Sequence, residues 1–498
     1  MMKLMNLSIA AAAVCAFSTS AYALKSEDRD IKPSMQVEYT KVPGEVNSIT
    51  EMFTEGEVYG RLRSNMFWWD WENENSAVQD NNMWGLGGSL VYKTGYFHGF
   101  GATVGFYGTV PMHNDNTLGS GTTNYGKAGK DTYHTRADGS EGAIGVLAEA
   151  YGEYKNGKTN VKVGRQGIDS IMLATNDTKM VPNTFEAAVV ENKNLPDTTV
   201  RVGYIMEQKL RDHQTFHSLI AYEKYNENDD SGVHKGLTPA NIRARGNGDV
   251  DPEMVLVTAS NKSIPNLKLD LEYVDLNGFF STAIAEANYQ IKLNDTWKLT
   301  PGIRYLKQMD DGAGKIGGAS LSGAVTAANA ASRGYTTGDS VDGSIIMGRL
   351  VLNGGPLTLT AGYSEIANDA DIIAPWRGFP TGGYTRLMAQ VDWIANTKNW
   401  MLRADYDFDK AGLVPGFKAM VAYEDMNFDE NKAFTSTFTD RNILMVDLWK
   451  TFKELPNTEF KFRMGIVNAE NGYTSQTVQA TTDYNSYNEY RFEVNYLF

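Results

Sequence analysis

The 498-residue chain contains one cysteine, six histidines and no long apolar run. The single cysteine, Cys15, lies in a segment that we expect to be cleaved, so the mature chain would contain no disulfide even in an oxidising compartment. No stretch approaches about 18 consecutive apolar residues, which excludes helical membrane spans. The histidines lack metal-ligand spacing and there is no Gly-x-Ser-x-Gly elbow, so we predict no metal, no cofactor and no enzyme.

Positive charge is also scarce. Without Lys3, which lies in the cleaved segment, 45 Lys and Arg (46 less one) remain against 60 Asp and Glu, a formal charge of −15. This balance argues against nucleic acid as a partner. The 48 glycines and 26 tyrosines suit many strands joined by tight turns. The mature chain is longer than a soluble domain with a single hydrophobic core usually is. A barrel is not subject to this limit on length, because it needs no packed centre.

Residues 1–23 have the pattern of a signal peptide. Lys3 supplies the positive start, residues 7–17 are apolar, and residues 21–23 (AYA) form a small-x-small cleavage site. The apolar run is too short for a membrane anchor. We predict that residues 24–56 form an extended or partly ordered periplasmic lead and that residues 57–498 form the membrane domain.

The last strand indicates the fold class. Its even-numbered residues form an apolar, largely aromatic face: Tyr490, Phe492, Val494, Tyr496 and Phe498. The opposite face carries Arg491, Glu493 and Asn495, because side chains alternate along a strand. A soluble sheet would bury the apolar face, whereas an outer-membrane barrel turns it toward lipid and the polar face toward a water-filled lumen. We therefore predict an all-β fold, a transmembrane antiparallel β-barrel in the bacterial outer membrane.

The same alternation predicts eighteen strands. They are 57–67, 83–93, 99–110, 143–155, 159–166, 184–191, 197–207, 253–262, 266–276, 281–293, 296–308, 343–352, 356–365, 399–408, 416–427, 441–452, 458–467 and 488–498. The connections alternate between short turns and mostly long loops, as outer-membrane barrels require. Runs 214–225 and 384–394 break this alternation and are assigned to loop hairpins. Whether the long loops 208–252, 309–342 and 366–398 gate the pore stays open.

Segments 163–166 (VGRQ) and 174–186 (ATNDTKMVPNTFE) resemble the third-loop region of OprD-type porins. The turn at 194–196 and the turn at 414–416 resemble that family too, and the terminal Phe498 resembles the signal read by the barrel assembly machinery. The resemblance implies an eighteen-stranded channel, monomeric or homotrimeric, whose third loop folds inward. It also implies passage of small hydrophilic solutes, often amino acids, peptides or other carboxylates, along a row of basic side chains. The fourth and seventh loops are longer than the family's, so the solute need not be the family's best known one.

The candidate pore-lining residues are seven basic residues and two carboxylates, most of them placed by the strand phase. They are Arg61, Arg63, Arg165, Arg403, Asp405, Lys461, Arg463, Arg491 and Glu493. Closure would make the first and last strands neighbours, so Arg61, Arg63, Arg463 and Arg491 should share one wall. One interpretation is a basic track for anionic groups. The other is that each arginine pairs with a lumen acid and braces the wall.

The third loop supplies the candidate constriction residues Asn176, Asp177, Lys179 and Pro182. Asp177 has a second interpretation as an Asx-turn residue that never contacts solute. Arg165, at the start of the loop, could face either the pore or a loop carbonyl. The rival functions are an outer-membrane barrel hydrolase and an adhesin or structural barrel whose loops bind partners. A plugged transporter is disfavoured, because residues 24–56 are too few for a plug domain.

Overall fold

The structure is a computed structural model that describes residues 29–32, 34–39, 41–73, 80–114, 129, 131–135, 141–221, 232–388, 392–429, 431–432, 440–469 and 486–498. The predicted signal peptide lies outside these residues. In the described part of the chain, no helix is long and apolar enough to cross a bilayer.

Eighteen antiparallel strands form a closed barrel. They are β1 Glu57–Trp71, β2 Asn81–Lys93, β3 Phe100–Asn114, β4 Ile144–Asn156, β5 Thr159–Gln166, β6 Thr184–Asn192, β7 Thr198–Lys209, β8 Met254–Asn261, β9 Leu267–Leu276, β10 Phe280–Tyr289, β11 Trp297–Asp310, β12 Gly343–Gly354, β13 Leu357–Ile366, β14 Lys398–Asp407, β15 Phe417–Asn427, β16 Arg441–Phe452, β17 Leu455–Ala469 and β18 Tyr487–Leu497. Each predicted strand overlaps one observed strand, so the predicted fold class and strand number are confirmed.

Strands β18 and β1 close the barrel in continuous register, from Tyr487 opposite Trp71 to Leu497 opposite Arg61. The last residue extends this seam, because the backbone N–H of Phe498 donates to the Gly60 carbonyl at 3.1 Å and the Gly60 N–H donates to the Phe498 carbonyl at 2.9 Å. Paired backbone groups leave no free sheet edge at the point where a barrel would otherwise have two.

The side chains alternate as the sequence predicts. In β18 every odd-numbered residue is buried and every even-numbered residue is partly exposed. In β9, Leu271 and Tyr273 are exposed outward, whereas Glu272 between them is 5% exposed. An apolar outer face and a polar inner face suit a barrel that has lipid outside and water inside.

A packed hydrophobic core fills the end of the lumen where the long loops lie. Trp376 and Trp393 of the loop after β13 are fully buried in one cluster with Leu219 of the loop after β7 and Phe280 of β10. The Trp376 indole N–H donates to the Leu219 carbonyl at 2.8 Å. The expectation that the barrel needs no packed centre is therefore wrong at this end.

In the runs 214–225 and 384–394, the described residues 214–221, 384–388 and 392–394 are not part of a barrel strand, as predicted. Their described residues nevertheless contain no hairpin, and the first run contributes only an isolated bridge between His217 and Gln208. Most of the described part of the second run packs in the lumen core, where Tyr384, Leu387 and Trp393 are buried. The described parts of these two loops therefore form lumen structure without a regular strand.

The described part of the N-terminal lead contains short strands and one helix. Two short strands, Arg29–Ile31 and Val37–Tyr39, pair with each other. Strand Glu45–Val46 then pairs in parallel with Tyr96–Phe97, and helix α1 Ile49–Thr54 follows with Ser48 as its N-cap. The remaining short elements are strands His134–Thr135, Glu141–Gly142 and Ile291–Lys292, helices α2 Pro239–Arg245 and α3 Ala313–Gly317, and a 3₁₀ turn Ala331–Arg333.

Candidate functional site

One wall of the lumen gathers most of the predicted basic residues. In the register of β17, β18 and β1, Arg463 lies opposite Arg491, and Arg491 lies opposite Phe67. The next inward row consists of Lys461, Glu493 and Asn65. Arg63 and Arg61 follow further along β1, opposite Asn495 and Leu497. Closure thus places four sequence-distant arginines on one continuous surface, as the strand phase predicts.

The loop between β5 and β6, residues 167–183 and here called L3, contacts this wall. The Asp177 carboxylate accepts hydrogen bonds from Arg61 and from Arg63, the latter at 3.2 Å. The Arg63 guanidinium also donates to the Asp177 carbonyl at 2.7 Å and to Glu493 at 3.0 Å. Because these groups are almost completely buried, their charges interact more strongly than charges in open solvent.

The residues after Asp177 continue along the same wall. The Lys179 carbonyl accepts from Asn65 at 3.1 Å, and its ammonium lies 4.1 Å from the centre of the Phe67 ring. The Arg491 guanidinium lies over the same ring at 4.5 Å. Burial, together with the positive charge of Arg491, lowers the pKa of Lys179 to about 7. Lys179 therefore changes charge near neutral pH.

Asn176 and Pro182 contact the strand-β7 side of the lumen instead. Asn176 accepts from Thr178 at 2.7 Å and from Arg211 at 3.3 Å. The Pro182 carbonyl accepts from the Lys209 ammonium at 2.6 Å. L3 is thus held from two sides, by arginines of β1 and by the end of β7.

The other predicted lumen cations have carboxylate partners. Arg463 forms a two-pronged pair with Asp447 of β16, with both distances 2.6 Å. Arg403 pairs in the same way with Asp405, at 2.7 and 2.6 Å. Lys461 lies 3.7 Å from Asp447. The fork of a guanidinium matches a carboxylate in this geometry, so these pairs also brace the wall.

Arg165 lies on the outer face of the barrel and not in the lumen. It shares its face of β5 with Val163, which is 54% exposed, and it is opposite Glu186 in the register. Its guanidinium is 3.5 Å from Glu186 and 4.5 Å from the centre of the Phe216 ring. The residues of β5 that line the lumen cavity are Asn160, Lys162 and Gln166, which have the opposite phase. We therefore leave Arg165 out of the pore.

A second basic cluster of the lumen was missed in the sequence. Glu286 of β10 is 2.6 Å from Arg304 of β11 and 2.9 Å from Arg349 of β12. Both guanidinium groups lie 4.6 Å from the Tyr384 ring centre. All three charged residues have the inward phase of their predicted strands, so the strand phase could have identified them.

Two cavities lie near the end of the barrel where the turns are short. One, of about 340 Å³, is lined by lumen residues of β1, β2 and β4–β7 together with Lys32 and residues 36–39. The other, of about 760 Å³, is lined by Arg29 and Ile31 together with residues of the turns after β14 and β16. Among the described residues, no group of three or more His, Cys, Asp or Glu side chains is arranged to hold a metal ion.

The chain was compared with known proteins. The family described as outer membrane porin, OprD family, matches residues 51–496. No curated protein matches the chain significantly.

Solved structures resemble the barrel over nearly its whole length. Acinetobacter baumannii OccAB3 is 18% identical, with a TM-score of 0.68 over 90% of this chain and 100% of that one. A BenF-like porin from Pseudomonas fluorescens Pf-5 is 17% identical, with a TM-score of 0.67 over 90% and 99% of the two chains. Pseudomonas aeruginosa OpdK with vanillate is 15% identical, with a TM-score of 0.66 over 90% and 99%. Because the family match covers all eighteen strands, the chain belongs to the OprD family, and it is an outer-membrane porin of Gram-negative bacteria.

Proposed function

We propose that this porin favours small hydrophilic solutes that carry a carboxylate. The observation that carries the proposal is the wall formed by β17, β18 and β1, where Arg61, Arg63, Arg463 and Arg491 lie beside L3. A row of fixed cations in a narrow lumen raises the local concentration of anions.

Where the wall contacts L3, cations outnumber carboxylates. The cations there are Arg61, Arg63, Lys179, Lys461, Arg463 and Arg491, and the carboxylates are Asp177, Asp447, Glu489 and Glu493. Two further carboxylates with the same inward phase, Glu459 of β17 and Glu57 of β1, lie nearer the short turns. In the described part of the chain, the Nε–H groups of Arg61, Arg63 and Arg491 have no hydrogen-bond partner. Buried donors without an acceptor favour a ligand that supplies one.

L3 is the proposed constriction, as the family resemblance implies. Asp177 and Lys179 contact strand β1, although L3 starts and ends at β5 and β6. Such contacts support an inward-folded loop that narrows the lumen. A solute passing Asp177 would therefore come within reach of Arg61 and Arg63.

The comparison with OpdK supports a carboxylate solute class, because the structure of that protein is described with vanillate. The paired arginines support the alternative of a general diffusion pore with a braced wall, and Arg463 with Asp447 is the clearest case. The family match does not favour a hydrolase or an adhesin.

We further propose that the apolar outer face contacts outer-membrane lipid and that the barrel assembly machinery inserts the chain. The porin works as a monomer or as a homotrimer.

The test compares uptake of vanillate with uptake of uncharged vanillyl alcohol into liposomes. Two cations are removed together, with Arg463→Gln and Arg491→Gln. Partly screened charges contribute roughly 1 kcal/mol each, or about 2 kcal/mol together, so vanillate uptake should fall roughly thirtyfold at low salt while alcohol uptake is unchanged. The loss should shrink at high salt. The control variant, Lys193→Gln with Lys292→Gln, removes two exposed cations of the short turns. It should leave the uptake of both solutes unchanged.

The bracing alternative predicts a different result. Unpaired Asp447 and Glu489 would then shift the pore toward cations and weaken the barrel whatever the solute, which reversal potentials and resistance to heating in detergent would show. Unchanged vanillate uptake at low salt in a normally folded double variant would contradict the carboxylate preference.

A further inference from the structure

The described N-terminal residues 29–32 and 34–39, here called the N-terminal hairpin, lie inside the mouth of the barrel. Three residue pairs join its strands, from Arg29 opposite Tyr39 to Ile31 opposite Val37. The Tyr39 ring stacks on the ring of Tyr59, an inward residue of β1, with centres 4.3 Å apart. The hairpin therefore does not extend freely into the periplasm, as a lead segment would.

The tip of the hairpin contacts the proposed anion site. The Arg61 guanidinium donates to the Met35 carbonyl at 2.5 Å, and the Asp177 backbone N–H donates to the Ser34 carbonyl at 2.9 Å. Met35 itself is only 3% exposed. Two neutral carbonyl oxygens thus take donors from the arginine wall and from L3.

The turn of the hairpin directs these carbonyls. Met35 has φ of +63°, a left-handed conformation that residues other than glycine rarely adopt. Its N–H donates to the Lys32 carbonyl at 2.7 Å, and the Lys32 N–H donates to the Gln36 carbonyl at 2.9 Å. Uncommon backbone conformations of this kind persist where contacts hold them, and they are concentrated at functional sites.

The hairpin also extends across the mouth. Its first strand borders the 760 Å³ cavity beside the turns after β14 and β16. Its second strand borders the 340 Å³ cavity beside β4–β7. The hairpin therefore has a cavity on each side of it.

A separate anchor holds the chain between the hairpin and β1. The Tyr96 N–H donates to the Gly44 carbonyl at 2.9 Å, and the Gly95 N–H donates to the Met52 carbonyl at 2.8 Å. Tyr92 donates to the Phe53 carbonyl at 2.5 Å. None of these contacts involves the hairpin, so the hairpin can leave the lumen while the anchor stays in place. The OprD family match starts only at residue 51, downstream of the hairpin.

We propose that the N-terminal hairpin is an intramolecular ligand of Arg61 and L3 that closes the pore until a carboxylate solute displaces it. The identity of the displacing solute rests on the proposed function above. A carboxylate is the stronger acceptor for a guanidinium, because hydrogen bonds between ions are shorter and stronger than those to a neutral carbonyl. The solute and the Met35 carbonyl compete for Arg61, so binding of one releases the other.

The size of the effect follows from the occupancy of the site. A hairpin bound for about nine-tenths of the time leaves about one-tenth of the molecules competent, which weakens the apparent solute affinity about tenfold. Removing the hairpin should restore that factor and raise the basal conductance. Neither change requires any alteration of the arginine wall.

The first experiment labels a single cysteine in the full chain. The mature chain has no cysteine of its own, so Met35→Cys introduces one thiol under the hairpin tip. A bulky maleimide should react slowly with Cys at position 35 in buffer or vanillyl alcohol, and at least several times faster in saturating vanillate. The matched control is Ile49→Cys at the start of helix α1, where Ile49 is 63% exposed, and it should react at one rate in all three conditions.

The second experiment deletes residues 28–41, which retains the anchor. We expect higher conductance and about tenfold tighter half-saturation by vanillate in planar bilayers. Equal labelling of Met35→Cys with and without vanillate, or unchanged conductance on deletion, would overturn the gate and leave the carboxylate preference standing. A different result would overturn the carboxylate trigger together with the proposed function. In that result, vanillate and vanillyl alcohol speed up the labelling equally, and the pore shows no preference for anions. If the deletion variant fails to assemble, the labelling result decides.

Discussion

Replacing Asp177 by asparagine should make the pore more selective for anions. The amide keeps the size of the side chain but removes the carboxylate that Arg61 and Arg63 share. Arg63 still donates to the Asp177 backbone carbonyl of L3 at 2.7 Å and to Glu493 at 3.0 Å, and Arg61 still donates to the Met35 carbonyl. The wall therefore gains one unit of uncompensated positive charge without losing every contact to L3.

The magnitude follows from Coulomb's law. Two unit charges about 4 Å apart interact by about 1 kcal/mol in water and by about 4 kcal/mol at the dielectric constant of about 20 that suits partly buried groups. The lumen contains water, so we take the lower figure as the gain for a passing anion. An advantage of about 1 to 1.4 kcal/mol corresponds to a five- to tenfold rise in the anion-to-cation permeability ratio.

Reversal potentials across a planar bilayer under a potassium chloride gradient measure this ratio. They should be recorded at about 0.1 M and about 1 M salt, because the Debye length falls from about 10 Å to about 3 Å and the effect should fall with it. The control is Asp295→Asn, which removes the same charge from a 98% exposed turn side chain outside the lumen.

Two outcomes would refute the reasoning. An unchanged ratio at low salt would mean that permeating ions do not approach Asp177. A larger conductance with an unchanged ratio would mean that Asp177 only holds L3 in place. In that case the arginine pairs brace the wall and do not select solutes.

The remaining predictions concern charge, assembly and stability. Because the pKa of Lys179 is about 7, Lys179 gains its positive charge as the pH falls from 8 to 6, so the anion-to-cation ratio should rise over that range. Lys179→Arg should remove this pH dependence by staying charged, and a ratio that is flat in the wild type would contradict the assignment. Phe498→Asp should sharply lower the outer-membrane yield, because it places a charge on the outward aromatic end of β18, where the Phe498 and Tyr496 rings stack with centres 6.3 Å apart; normal yield would show that this aromatic end is not needed. The unboiled protein should migrate differently from the boiled one on detergent gels, and identical migration would contradict the closed barrel.

The barrel could be predicted from the sequence because the alternation that reveals each strand involves only neighbouring residues. In β18, each residue alternates between lipid and lumen, so Phe492 and Glu493 reveal the strand phase by themselves. Strand phase and closure together place Arg463, Arg491 and Arg63 on one wall, and the register confirms that placement. The family motif at the start of L3 did not predict the position of Arg165 correctly, because Arg165 does not line the pore. It shares its face with outward Val163, and the phase of β5 would have been the better guide.

The contents of the lumen could not be predicted because they depend on contacts between distant loops. Trp376 and Trp393 belong to a segment with no regular period, so nothing local distinguishes their burial in the lumen from exposure on the surface. The ion pair between Arg211 and Asp131, at 2.7 Å, joins residues 80 positions apart in two loops. The same holds for Met35 and Arg61, which lie 26 positions apart and meet only where the hairpin enters the barrel mouth.

The seam between β18 and β1 also sets an order of events during biogenesis. The hairpin is synthesised and exported first, yet its partner Arg61 lies in register with Leu497, among the last residues to be made. Before β18 pairs with β1, the barrel is open and there is no enclosed space for residues 29–39 to occupy. Their tether to β1 lies on the side of the short turns, so they enter the finished barrel from the periplasm. If the hairpin closes the pore as proposed, a newly inserted barrel therefore conducts until its own residues 29–39 dock.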